Sequence, residues 1–163
     1  MKNLSLALVL TFFSLQGFSQ FKVGKTQDQV KADEAKKTPV LIGAKRVALT
    51  VTFGLFHIEE DNSEFLEYHT TTNFVKRLDF PSAQEESDFY KYVLGLYDSF
   101  KDNEVTLGKT TIVPLRNNLL GENSLFFEIH PDPDNKRYIL TTLSLGKKGW
   151  VKLFEKSRIQ SLK

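Results

Sequence analysis

The chain has 163 residues, with 22 basic side chains against 20 acidic ones and no cysteine. So even a balance lacks the basic excess of a nucleic-acid-binding protein, and the missing thiols exclude disulfides, thiolate catalysis, thiolate-bound zinc and a cysteine-linked lipid anchor. The length suits one domain, which buries about two thirds of its unfolded surface without needing covalent staples.

Residues 1–19 read as a signal peptide. Lys2 supplies the positive start, Leu4 to Leu15 form a nearly unbroken apolar run, and small residues at Gly17 and Ser19 suit an export peptidase cutting before Gln20. The expected location is therefore the periplasm or the extracellular space, which removes ATP-driven cytosolic chemistry. After residue 19 no apolar run approaches the ~18 residues that span a bilayer, so the processed chain is expected not to cross a membrane.

Residues 20–43 are expected to form a polar arm or a frayed helix that stops before Pro39, because only Val30, Ala32 and Ala35 could face a core. Residues 44–163 are expected to form a single α+β domain. From Lys45 the apolar residues alternate, with Val47, Leu49, Val51, Phe53 and Leu55 on one face, which predicts one half-buried strand. Glu59 to Ser63 is a polar turn, and a second strand follows from Glu64 to about Phe74. Pairing Leu55 with Tyr68 and Ile58 with Phe65 aligns both apolar sets, giving an antiparallel hairpin.

Ser82 followed by Glu85 is a capping box. The repeat of Phe89, Val93, Leu96, Tyr97 and Phe100 then predicts a long amphipathic helix over 83–101. Strands are expected at 105–113, 125–129, 137–145 and 150–153. The turn Pro131–Asn135 separates two of them, and Gly146–Gly149 closes another hairpin. A short C-terminal helix over 155–163 turns Ile159 and Leu162 inward. The fold class is α+β: an antiparallel sheet of about five or six strands with both helices packed on one face.

Motifs for chemistry are fragments. Gly24-Lys25-Thr26 and Gly108-Lys109-Thr110 lack the earlier glycine of a phosphate loop, with Ser19 and Asn103 standing in its place. His57, His69 and His130 are the only imidazoles, without zincin spacing, and the hairpin register sends His57 and His69 to opposite faces. Asp132, Asp134 and Asn135 open like a calcium loop, but Arg137 and Leu143 occupy places where glycine and glutamate are needed. Gly121-Glu122-Asn123-Ser124 lacks the second glycine of a nucleophile elbow. The Lys147, Lys148, Lys152 and Lys156 cluster fits a solvated edge.

The remaining signal is apolar. Phe56, Ile58 and Phe65 lie on the hairpin face opposite Phe53 and Leu55, so both faces are partly greasy. The 20–43 segment covers that second face, or it is a patch for an apolar ligand or another envelope protein. The expectation is a small exported, non-catalytic binding or interaction module that uses Phe56, Ile58 and Phe65. No cofactor, metal site or nucleic-acid partner is expected. The alternatives are a metal-assisted hydrolase built on His57 or His130, and a structural envelope component.

Overall fold

The structure, a computed structural model, describes residues 26–117, 123–135 and 137–162. The signal peptide expected over 1–19 lies outside the described residues. The chain divides into residues 1–32 and 33–163. The described part of the first unit begins helix α1 (Gln27–Lys37), none of whose residues is buried. Thr26 caps it reciprocally: its hydroxyl accepts from the Gln29 amide at 3.3 Å, and its own amide donates to Gln29 Oε1 at 3.0 Å. The stretch has no apolar stripe, and as a helix it buries nothing, while residues from Val40 on already belong to the first strand.

In the second unit, strands β1 (Val40–Val47), β2 (Thr50–Ile58), β3 (Ser63–His69) and β4 (Val75–Asp79) form an antiparallel sheet in chain order. The single strand expected from Lys45 is a hairpin instead. The chain reverses at Ala48-Leu49, Val47 pairs with Thr50, and Leu49 is 93% exposed. Ala48 takes a positive φ of 53°, which the turn demands and an alanine side chain resists. The β2–β3 hairpin forms with its faces as expected but two residues out of the expected register: Phe53 pairs with Tyr68, Leu55 with Leu66 and Phe56 with Phe65. A two-residue shift preserves every inward and outward side, because the strand period is two. It shortens the connection to Glu59–Asn62, where Asn62 takes φ 53° and Asp61 Oδ1 accepts the Ser63 amide.

Helix α2 (Ala83–Asp98) starts where its capping box places it. Ser82 Oγ accepts the Glu85 amide at 3.1 Å and donates to Glu85 Oε2 at 2.9 Å. Strands β5 (Val105–Leu107), β6 (Thr110–Asn117), β7 (Ser124–His130), β8 (Leu140–Thr141) and β9 (Leu145–Gly146) make a second antiparallel sheet, β8 and β9 both pairing with β7. The class is α+β, with the strands divided between sheets of four and five. The two sheets meet where Leu143 N donates to His69 O (3.1 Å) and Thr71 N to Thr141 O (2.8 Å).

Three C-terminal expectations are corrected. Residues 137–139 are irregular, so the strand expected over 137–145 shrinks to β8 and β9. Gly146–Gly149 does not close a hairpin but opens helix α3 (Lys147–Leu153), which contains the expected strand Trp150–Leu153. The final helix is a 3-10 turn, Arg158–Leu162, with Ile159 buried and Leu162 exposed. A helical turn at Trp150 puts Trp150, Leu153 and Phe154 together on the core side, where they are at most 1% exposed.

The core lies between the sheets, with α2 and α3 contributing to it. Trp150 is its hub: its ring centroid lies 5.7 Å from Phe53 of β2, 6.1 Å from Phe89 of α2 and 5.8 Å from Phe127 of β7. Such aromatic pairs add about 0.5–1.5 kcal/mol each beyond area burial. Helix α3 fits this closely to β1 only because residue 43 is glycine; a Cβ there would sit 1.9 Å from the Leu153 carbonyl oxygen.

Candidate functional site

The outward face of the four-stranded sheet carries an apolar groove of about 290 Å³, lined by Thr50, Val51, Gly54, Phe56, Glu67, His69 and Val75. Local irregularity builds it. Lys45 pairs with Phe53 but Arg46 with Val51, so Thr52 is a bulge that brings Val51 to the same side as Gly54. A Cβ at Gly54 would lie 2.8 Å from Phe56 Cε2 and 3.1 Å from Leu41 Cδ1, so the missing side chain lets the Phe56 ring lie across the strand.

Beneath this surface Phe65 is buried. Its ring stacks on Phe56 at 5.1 Å and 7°, and the Arg77 guanidinium lies 3.6 Å over its centroid. Asp79 holds Arg77 in place through its Oδ1. Of the three residues singled out from the sequence, Phe56 lines the groove, Phe65 supports it from below, and half-buried Ile58 pairs with Ser63 outside the lining. Thr50, Val51, Gly54, Glu67, His69 and Val75 were not anticipated. Alternation from Phe65 already places Glu67 and His69 on its face. Val51 arrives there through a bulge, and Val75 through β4, which was not expected: the strand expected from Glu64 to about Phe74 ends at His69, and a new strand begins at Val75.

A second constellation sits at the hairpin end of the opposite, inward face. Glu86, in the first turn of α2, and Glu64, at the start of β3, are 0% and 2% exposed. Glu86 Oε1 accepts from Ser157 Oγ at 2.6 Å, and Oε2 accepts from Arg158 Nε at 2.8 Å. Glu64 Oε1 accepts the Arg158 amide at 2.9 Å, and His57 Nδ1 lies 3.3 Å from the same oxygen. Arg158 also donates through Nη1 to the Asn62 carbonyl. Burial, and then the adjacent Glu64 carboxyl, push the Glu86 carboxyl up to about 7, against the lowering pull of Ser157 and Arg158. No local motif announces this cluster, because its members come from residues 57, 64, 86 and 157–158.

The other candidate chemistry disperses. His57 faces inward to Glu64, His69 lines the outer groove, and His130 ends β7 opposite Thr111. Among the described residues no three His, Asp or Glu side chains are placed to hold a metal ion. Asp132 Oδ1 accepts the Asp134 amide and Asn135 Oδ1 the Arg137 amide, so these oxygens shape a turn. A cavity of about 340 Å³ lies between α2 and β5, but its two acids are engaged locally, Glu85 by Ser82 and Asp88 by Gln84. Comparison with protein-family models, curated proteins and solved structures gives no match. The site is therefore read from its own geometry. Among the described residues no helix is long and apolar enough to cross a membrane.

Proposed function

We propose that this protein is an exported, non-catalytic interaction module whose outer groove receives apolar side chains of a partner protein in the cell envelope or outside the cell. The observation that carries the reading is the groove itself: Phe56 and Val51 flank a strip where Leu41 is 37% and Val75 53% exposed. Its volume lies at or below the lower limit of small-molecule pockets, ~300–1,000 Å³, and suits one or two inserted side chains. Glu67 and His69 lie within the lining and offer a polar partner hydrogen bonds beside the apolar contact. Export rests on the apolar, Lys2-led stretch of residues 1–19.

A photo-crosslinking residue at Val75, introduced in the native cells, tests the interaction. The expected result is one discrete adduct that disappears when Val51→Glu is added. A control at exposed Thr106, on the other sheet, should give none. Identical patterns at both positions, or an adduct indifferent to Val51→Glu, would refute the groove as the docking surface. Intact-mass measurement on protein from its own cells tests export separately: the chain should begin at Gln20, and one beginning at Met1 in the cytosol would overturn that part.

A further inference from the structure

Glu64 and Glu86 lie within hydrogen-bonding reach of each other, yet only three of their four oxygens have donors. The fourth, Glu64 Oε2, is buried without one. A buried acceptor in that position is destabilising unless something donates to it. Two carboxylates sharing one site also repel, and the Arg158 guanidinium bonds Glu86 through Nε, whereas Glu64 receives only the neutral Arg158 amide. A single proton between the carboxyls meets both needs. It supplies the missing donor and reduces the pair's charge to one, which Arg158 balances.

We infer that Glu64 and Glu86 form a proton-sharing latch that fastens the C-terminal turn to the β2–β3 hairpin and helix α2, and that loosens when the shared proton leaves. The fastening is direct: Ser157 Oγ and Arg158 Nε bind Glu86, the Arg158 amide binds Glu64, and Arg158 Nη1 binds the Asn62 carbonyl in the hairpin turn. The other groups facing the pair are few. His57 of β2 lies against Glu64, and Asp61 of the hairpin turn acts on Arg158. From α3, which also packs on α2, the buried Trp150 and Leu153 point inward, whereas Lys147, Lys148 and Lys152 are exposed.

The direction follows from the Glu86 carboxyl standing above its ordinary range. Below neutrality the proton is held and the turn is fastened. As the pH rises through about 7 the pair carries two charges against the single Arg158, and the 157–159 segment loses its anchor. Carboxyl-carbon NMR titration of the labelled protein, run with amide protection factors, tests this. One buried glutamate should titrate near neutrality, and protection at the Arg158 and Ile159 amides should fall roughly tenfold or more over the same interval. Glu64→Gln, which removes the like charge, should shift the Glu86 midpoint downward. The latch is overturned if every glutamate titrates in the ordinary range, if protection stays constant through the transition, or if Glu64→Gln leaves the midpoint in place.

Discussion

Adding a single methyl group at two glycines should move stability in opposite directions, and the structure sets both sizes. At Gly43 the new Cβ would lie 1.9 Å from the Leu153 carbonyl oxygen and 2.8 Å from its carbon, both backbone atoms that cannot rotate away. Relief requires β1 and α3 to separate by roughly 1 Å or more, since real Cβ atoms keep beyond 3.0 Å. Helix α3 carries Trp150 and Leu153, which are 1% and 0% exposed, so the separation loosens the packing at the aromatic hub. Overpacking alone costs about 1–3 kcal/mol, and loss of hub contacts adds to it, so Gly43→Ala should cost about 3–5 kcal/mol. At Gly95, exposed in the last turn of α2, nothing lies within 4 Å of the added Cβ. There the gain in helix propensity should stabilise by about 0.5–1 kcal/mol. Urea unfolding followed by the fluorescence of the single tryptophan separates the two. With an m-value of about 2 kcal/mol/M, the midpoint should fall by roughly 2 M in the first variant and rise by roughly 0.3–0.5 M in the second. A Gly43→Ala midpoint within about 0.5 M of the parent would refute the close β1–α3 approach.

The remaining predictions concern charge, turn and cap. The Glu86 carboxyl is raised from 4.5 to about 7, so its stabilising contribution is complete below the lower value, declines across the interval and is gone above the upper one. Glu86→Gln should abolish that decline, worth at most about 3 kcal/mol, when unfolding is compared at pH 5 and pH 8; parallel pH profiles for parent and variant would contradict it. Ala48→Gly should stabilise by about 1 kcal/mol in thermal or urea unfolding, because it relieves the φ of 53° at the β1–β2 turn. A loss of stability there would argue against the hairpin. Ser82→Ala should cost about 1 kcal/mol by removing the cap on α2, visible as a lower urea midpoint, and Ser82→Asp should retain most of the stability.

What could be read from the residues follows the range of each interaction. The capping box at Ser82 is a three-residue affair, and helix α2 starts where it indicates. From Phe53 onward the inward and outward sets of β2 and β3 also survive, because alternation is a property of each strand alone, whereas the bulge at Thr52 moves Val51 from its expected face. Registration was the weaker inference. Two sums of paired residue numbers differing by two bury the same side chains, and the choice between them lies in turn geometry, where Asn62 in the left-handed region and the Arg158 bond to its carbonyl select the shorter loop. The β1–β2 reversal was illegible for a local reason: Ala48-Leu49 continues the apolar alternation and carries none of the glycine or asparagine that such a turn favours. The segment around Trp150 was misread because a short apolar run of four has no periodicity of its own, and its surroundings decide its conformation.

The sequence by itself determined the α+β class, the apolar second face holding Phe56 and Phe65, and the start of α2, since each depends on neighbours within a few positions. Only tertiary structure decided that the strands divide into two sheets, that a bulge at Thr52 and a bare Gly54 open a groove beside Phe56, and that Glu64 meets Glu86 and Arg158. Those outcomes arise from close packing and burial between segments far apart in the chain. Composition and spacing do not encode such energies residue by residue; they exist once backbones approach as closely as Gly43 and Leu153 do.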